Sequence, residues 1–313
     1  MAIQTRQSTP KQLVPGLMGI LGQAYKAVDP EHQMLFETQT SNRAYEEEVM
    51  MSGLGLAAVK AEGGNIAYDA GEELWTARYT HETIALGFII TEEAIEDNLY
   101  ENYARSASKG LGRSLAETKQ IKAASVFNNG FNSNFKGGDQ VALFATHPTK
   151  VGSTSNATNV DLSEAALEDV TIALSKWTDD RGLLISVKPQ SLHFPSELQF
   201  VAERIVKSNL RPTVYIATNQ AGSDNIGVTN TNEINALKAK GLYQNLNVHL
   251  RFTDTNGWFV KTTATEGTKH MVRRKARVET DGDFQTGNSM VKMTERYSFG
   301  WSDWRQWYGS SGA

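Results

Sequence analysis

The sequence predicts an α+β fold whose strands and helices are partly segregated along the chain. Three observations lead there. Residues 79–90 alternate with period two, which sets Ile84, Leu86, Phe88 and Ile90 on one face, and from Thr91 the period turns helical as far as Phe127. Two further helix starts follow near Asp161 and Ser196. From about Leu242 the chain returns to alternation in the runs 248–252, 257–261, 271–278 and 290–299, which read together as a sheet.

Taken in order, residues 1–45 read as an arm. Pro, Gly, Gln and Ser interrupt any helix there. Leu13, Val14, Leu17, Met18, Ile20 and Leu21 have no core of their own, so the segment is expected to be disordered or packed along another surface. Residues 46–90 read as a β-hairpin excursion, punctuated by Gly53, Gly55, Gly63, Gly64 and Gly71, with a turn signal at Asp69-Ala70-Gly71 and a return strand over Tyr79–Ile90.

Thr91 suits a helix N-cap, and Glu92, Glu93, Glu96 and Asp97 sit where the helix dipole favours negative charge. The stripe Ile95, Leu99, Tyr103, Leu111, Leu115, Ile121 and Val126 carries the helix to Phe127, where Asn128-Asn129-Gly130 stops it. Such a helix is roughly 50 Å long. Gly110 and Gly112 in its middle each cost about 1 kcal/mol relative to Ala and mark an expected bend.

Asp161-Leu-Ser-Glu164 and Ser196-Glu-Leu-Gln199 have capping-box spacing. Ala166, Val170, Leu174 and Trp177 share one face of the first of these helices. Leu183–Val187 reads as a short buried strand, and Pro212 as the stop of the second helix. No internal repeat is visible.

Composition narrows the chemistry. The 313 residues include no cysteine, which excludes disulfides, zinc-thiolate sites, iron-sulfur clusters and thiol nucleophiles. Apolar runs fall far short of the roughly 20 residues of a membrane span, and Pro10 and Pro15 interrupt the N-terminal stretch, so neither membrane insertion nor secretion is expected. A net charge of −4 argues against a general nucleic-acid binder with a basic field. The charge is unevenly spread, however. Residues 29–101 hold 16 acidic and 3 basic side chains, whereas residues 102–313 hold 25 basic and 19 acidic. A chain divided in this way can pair head to tail with its own copies, and such heterologous contacts build rings or shells. A solvated acidic face is the plainer reading of the same pattern.

Candidate catalytic motifs do not hold together. Gly53-Leu-Gly55-Leu-Ala-Ala58 imitates a dinucleotide fingerprint, but Val59-Lys60-Ala61-Glu62-Gly63-Gly64 cannot sustain the helix that must follow. The six histidines lack metal-ligand spacing, and His147 and His193 read as satisfied structural residues. No nucleophile elbow supports a Ser-His-Asp triad. Glu279, Asp281 and Asp283 form only a fragment of a calcium loop and read as a turn. No catalytic, cofactor-binding or metal-ligating residue is therefore assigned.

One basic cluster stands out, Lys269-His-Met-Val-Arg-Arg-Lys-Ala-Arg277. In a regular strand Arg273, Lys275 and Arg277 share a face and Arg274 takes the other. No aromatic residue is interleaved to stack on bases. The cluster reads either as a solvated strand or as a partner for the acidic hairpin of a neighbouring copy around Glu72, Glu73 and Trp75. Trp301, Trp304 and Trp307 read as core or interface.

Four passages carry a family resemblance: Arg78–Tyr100 (RYTHETIALGFIITEEAIEDNLY), Leu143–Pro148 (LFATHP), Pro189–Pro195 (PQSLHFP) and Arg296–Arg305 (RYSFGWSDWR). Together they resemble the major capsid proteins of tailed bacteriophages, with the Hong Kong 97-like fold, and Mu-like head subunits in particular. The resemblance implies an N-arm at 1–45, an E-loop at 46–90, a P-domain at 91–164 whose spine helix is Glu92–Phe127, an A-domain at 165–265 facing the capsomer axis, and strands at 266–313 returning to the P-domain. It implies a non-enzymatic protein, without cofactor or membrane contact, that self-assembles as hexamers and pentamers into an icosahedral virion shell around double-stranded DNA held by non-specific contacts.

Assembly would take place in the bacterial host cytoplasm, with a portal and optionally a decoration protein as partners. No coiled-coil heptads precede residue 45, so scaffolding is expected as a separate protein or as a segment already removed. Some members crosslink an E-loop lysine. Lys60 is the only lysine between Lys26 and Lys109, but no catalytic glutamate can be assigned, so no crosslink is expected. An encapsulin-like nanocompartment shell shares the resemblance. An α+β hydrolase is the alternative of another class, and it requires a cleft of convergent polar groups.

Overall fold

A computed structural model describes residues 10–96, 100–217, 227–243, 245–283 and 285–313. The chain begins with α1 (Pro10–Lys26), α2 (His32–Leu35), β1 (Glu37–Thr40), β2 (Tyr45–Met51), β3 (Glu73–Thr80), β4 (Glu82–Ile90), α3 (Glu92–Glu96) and α4 (Tyr100–Asn128). There follow β5 (Thr146–Thr149), β6 (Gly152–Ser155), β7 (Ala157–Thr158), α5 (Glu164–Ser175), β8 (Pro189–Phe194), α6 (Gln199–Lys207), β9 (Leu210–Ala217), β10 (Gly227–Ile234) and α7 (Ala236–Ala239). The chain closes with β11 (Asn245–Val248), β12 (Trp258–Thr262), β13 (Thr268–Gly282), β14 (Ser289–Trp301) and β15 (Trp307–Ser310).

These elements form two compact units, each discontinuous in sequence. The first comprises residues 1–48, 77–127 and 268–301, and the second residues 49–76, 128–267 and 302–313. The expected boundaries differ most at 128–164 and 302–313, both of which lie in the second unit. Sheet pairing is the reason: β7 and β15 belong to one five-stranded sheet.

The first unit is built on a four-stranded sheet of order β1-β13-β14-β4. β1 runs parallel to β13, while β14 is antiparallel to both β13 and β4. This corrects the expected hairpin. Residues 82–90 do not return along the excursion but pair with β14 from Ile90↔Ser289 to Glu82↔Tyr297, and β3 is the strand that pairs β2.

α1 is a second correction, because residues 10–26 are helical despite Pro15, Gly16, Gly19 and Gly22. Pro10 occupies the first helical position, where a missing N–H costs nothing. Leu21 is buried among Leu111, Leu115, Val291 and Met293, and such packing outweighs an intrinsic penalty of about 3 kcal/mol for an interior proline. Leu13, Val14 and Leu17 lie outside the described side chains. Beside Leu21, Tyr25 donates a hydrogen bond to Glu295 at 3.0 Å, and Lys119 pairs with Glu295 at 2.6 Å in a buried ion pair. Burial, with the Glu295 charge beside it, pushes the Tyr25 hydroxyl well above its ordinary range.

The spine expectation is adjusted in the same unit. Thr91 Oγ1 accepts the N–H of Ala94 at 3.4 Å, the expected cap of α3. Residues 97–99 lie outside the described residues, so the expected single helix is seen as α3 and α4. Leu111, Leu115, Ala123 and Phe127 face the core, but Tyr103 and Ile121 are exposed, so the buried stripe is rotated from the expected one and is filled in part by small residues such as Ala104 and Ser108. Ile95 and Leu99 lie outside the described side chains.

In the second unit a five-stranded sheet of order β11-β8-β12-β15-β7 carries the larger core. Leu192, Phe194, Trp258 and Val260 of the sheet pack with Leu167, Val170 and Leu174 of α5. α5 presents Ala166, Val170 and Leu174 inward, with Trp177 beyond its end, as its periodicity predicts. Its cap differs from expectation. Ser163 accepts the N–H of Ala166 at 3.2 Å, while Asp161 accepts the N–H of Ala313.

α6 follows a 3-10 turn at Ser196–Leu198 with no side-chain cap, and it ends at Lys207 rather than at Pro212, which lies in β9. Leu183–Val187 is not a strand. Asp179 Oδ1 accepts the N–H groups of Arg181 and Leu183 and folds the chain into a turn, leaving Leu184 exposed; the buried strand is β8. The four alternating runs after Leu242 do not form one sheet either. β11 and β12 belong to the second unit's sheet and β13 and β14 to the first unit's. Trp304 and Trp307 are fully buried, and Arg305 between them pairs with Asp180 at 3.1 Å and Asp303 at 3.4 Å.

Candidate functional site

Between β2 and β3 lie residues 52–72, without regular strands or helices. Glycines and a central Gly63 at φ 76° keep this stretch extended and turning, since a positive φ suits a residue without Cβ. Its base is held by hydrogen bonds. The Ser52 N–H donates to the Glu72 carbonyl at 2.8 Å, and the Glu72 N–H donates to Ser52 Oγ at 2.9 Å. Asp69 accepts the N–H of Gly55 at 2.7 Å and lies 3.7 Å from Arg181, which donates to the Ala70 carbonyl at 2.7 Å. The backbone N–H groups of Gly55 and Ala70, both donating to Asp69, hold its carboxyl below the ordinary range.

Glu72, taken from the sequence as a subunit contact, forms an ion pair with Lys150 of the same chain. That hydrogen bond lowers its pKa. Glu73 is exposed at the start of β3. Trp75 packs half-buried against its own unit's core and donates from Nε1 to the Ser302 carbonyl at 3.4 Å.

Beyond this base the excursion offers apolar side chains to solvent. Leu56 is 86% exposed, Tyr68 93% and Val59 100%, with Leu54 and Ile66 also exposed. The charge reading passed over them, although the run Leu54-Gly-Leu-Ala-Ala-Val59 inside a glycine-rich segment was the available signal. Exposed apolar side chains grouped in this way make the excursion a candidate contact surface.

The basic cluster lies on β13. Its first part, Thr268–Met271, is buried between β1 and β14, while Arg274–Arg277 are exposed. The pairing register slips between Val272 and Arg274 and again between Arg274 and Arg277. These shifts break the strict alternation expected for Arg273, Lys275 and Arg277. Such irregular, charged edges resist indiscriminate strand pairing.

Arg277 pairs with Glu279 at 3.0 Å, and Glu279 pairs with Lys292 at 3.0 Å. Among the described residues no acidic side chain forms an ion pair with Arg273, Arg274 or Lys275. A groove of about 610 Å³ lies alongside, lined by Phe88, Ile89, Met290 and Val291 with Arg277, Glu279 and Lys292. Its polar groups neutralise one another rather than converge on a bound atom, and the Lys292 hydrogen bond holds the Glu279 carboxyl low.

Gly112 has a packing role that its sequence position did not reveal. A Cβ there would lie 2.5 Å from the Leu21 carbonyl oxygen, so the missing side chain lets α1 approach α4 closely, whereas Gly110 has open space around it. His147 and His193 are held by their own neighbours. His147 lies 2.5 Å from Asp139 and stacks on Trp304 at 4.5 Å, with its other nitrogen on the Leu143 carbonyl. His193 is buried between Ser191 and His249 at 2.8 Å from each. Among the described residues no group of three potential metal ligands is assembled, and no helix is long and apolar enough to cross a membrane.

Comparison with known proteins places this geometry. Residues 73–310 match the family described as phage capsid protein. The fold is similar to that of the virus-like particle from Pyrococcus furiosus, with a TM-score of 0.51 and 10% identity over 94% of this chain and 97% of that one. It is also similar to the holo-SrpI encapsulin complex from Synechococcus elongatus PCC 7942, with a TM-score of 0.51 and 7% identity over 91% and 88% of the two chains. A structure from Microbacterium phage Oxtober96 aligns with a TM-score of 0.50 and 9% identity over 91% and 93%. No curated protein sequence matches.

Proposed function

Since the chain belongs to the phage capsid protein family and is a major capsid protein of the virion, with a Hong Kong 97-like fold, we propose that it assembles as hexamers and pentamers into an icosahedral shell around double-stranded DNA. The single observation that carries this reading is the excursion at 52–72, whose exposed Leu56, Val59 and Tyr68 find no cover among the described residues of their own chain. In the proposal the excursion is the E-loop and lies on a neighbouring copy, and the first and second units correspond broadly to the P-domain and the A-domain. Arg273, Arg274 and Lys275 meet Glu72 and Glu73 of that neighbour, in competition with Lys150 of the neighbour's own chain.

The shell protein acts as a structural element without catalysis. It assembles in the host cytoplasm with a separate scaffolding protein and a portal, with room for a decoration protein, and packaged DNA touches it without sequence preference. Co-expression with a scaffold followed by electron microscopy and nucleic-acid extraction tests the reading. Closed shells on co-expression, and shells that retain double-stranded DNA when isolated from infected cells, are the expected results. A stable compact monomer under all assembly conditions would overturn it. The encapsulin-like reading, favoured by the likeness to the SrpI shell fold, predicts shells that enclose a protein cargo and no genome.

A further inference from the structure

Three of the six histidines lie on one seam of the first unit, between the segment 31–41 and the body it rests on. His32 of α2 meets α4: Gln120 Oε1 accepts the His32 backbone N–H at 2.9 Å, and Gln120 Nε2 lies 2.9 Å from His32 Nδ1. Gln120 Oε1 lies 3.1 Å from the same Nδ1, so both ends of this amide reach the ring nitrogen. Thr38 of β1 lies 3.3 Å from Nδ1 of His270, whose ring stacks on Phe299 at 4.4 Å. His270 Nε2 is buried without a hydrogen-bond partner.

Ser41, just past β1, meets His81 between β3 and β4, with Oγ 2.9 Å from Nε2. The Ser41 hydroxyl gives its hydrogen to Glu46 at 2.7 Å, so it accepts from His81 Nε2–H, and His81 Nδ1 lies 3.0 Å from Ser298 Oγ. Each ring thus attaches a different point of one continuous segment.

We propose that this seam is an acid-release device: protonation of His32, His81 and His270 together detaches segment 31–41 from α4 and β13 while the β13–β14 pairing persists. The charged groups around the rings favour this outcome. Lys119 of α4 faces His32 and His270, which also face each other, and Arg273 of β13 and Arg296 of β14 face His81. Glu46 of β2 acts against them at His81. Tyr297 of β14 lies edge-on to His270 and is uncharged in this range. Burial is the largest cause in all three cases. It lowers the pKa of His32 and His81, and that of His270 to about 3.

Since folding depresses these values below the ordinary 6.5, attachment is at full strength above about pH 6.5 and weakens as pH falls toward the folded-state values. Each proton bound only in the released state shifts the equilibrium by up to about tenfold per pH unit. Three such protons give up to about a thousandfold.

Hydrogen exchange of the full chain between pH 7.5 and 4.5, corrected for intrinsic exchange rates, reads the opening of residues 32–41 against that of β14. The expected result is selective opening of the segment with a proton slope between two and three. H81Q and H270Q should each lower that slope by one, whereas a merely structural role would weaken protection at every pH and leave the slope unchanged. Histidine proton titration of the unsubstituted chain gives an independent reading. Opening that does not depend on pH, or three histidines titrating near 6.5 in the folded chain, would overturn the proposal.

Discussion

Leu56, Val59 and Tyr68 of the excursion stand almost wholly in solvent, whereas Leu192, Phe194, Trp258 and Trp307 of the five-stranded sheet are sealed within their own chain. Both regions belong to the second unit and both are rich in apolar side chains. Burial is worth about 25 cal/mol per Å², so the sheet has already realised its stabilisation and the excursion has not. The contrast teaches that apolar content alone does not identify a core. Where a backbone clamped by Ser52, Asp69 and Glu72 keeps apolar residues apart from any core, their remaining gain lies in contact with another molecule.

The sheet side of the comparison should show the largest effect. Trp307 is fully buried, with His193 edge-on at 5.0 Å and Lys261 over its ring. Trp307→Ala should cost about 3–5 kcal/mol, read as a lower denaturation midpoint, with assembly lost because the subunit is lost. A change below 1 kcal/mol would mean that the sheet core is not the stabilising element.

A middle-sized effect is expected at α4. Gly112→Ala forces a Cβ against the Leu21 carbonyl and should cost about 1–3 kcal/mol, while Gly110→Ala meets nothing and should gain about 1 kcal/mol from helix propensity. Thermal denaturation of the two variants should therefore move in opposite directions. Gly110→Ala is also the cleaner test of a functional bend. Normal shell formation and DNA packaging by that variant would assign no mechanical role to the position.

On the excursion side the combined change Leu56→Ser, Val59→Ser and Tyr68→Ser should leave subunit stability within about 0.5 kcal/mol yet abolish shells in electron micrographs. Shells formed at normal yield would show that the excursion is not covered by a neighbour.

The smallest effect concerns charge. Glu72→Lys with Glu73→Lys should weaken assembly and remove part of its salt dependence, because exposed charges are screened beyond about 8 Å at physiological ionic strength. Arg273→Glu with Arg274→Glu in the same chain should partly restore shell yield. Lys150→Ala alone separates loss of the intrachain clamp from loss of the contact between copies. Without rescue, the two regions do not meet.

Much of this contrast was readable in advance, and the part that was not has a common cause. The inward face of α5, the alternation along β14 and the cap at Thr91 depend on neighbours a few residues away, so periodicity and spacing reveal them. The excursion was legible as glycine-rich and acidic. Where its charges would go was not. Glu48 pairs with Lys269, Glu72 with Lys150 and Glu82 with Lys122, so a good part of the acidic segment is balanced inside its own chain by cations far along the sequence.

By itself the sequence determined the α+β class, the family through four short passages, the long helix ending near Phe127 and the absence of any thiol chemistry. These rest on local period, composition and residue identity. Only the tertiary structure decided that residues 10–26 are helical, that β4 joins β14 rather than the excursion, that Gly112 serves close packing, and that three scattered histidines share one seam. The physical reason is separation: Leu21 meets Val291, His32 meets Gln120 and Thr38 meets His270 only after the chain has folded, and burial energies of that kind override local preference without leaving a local pattern.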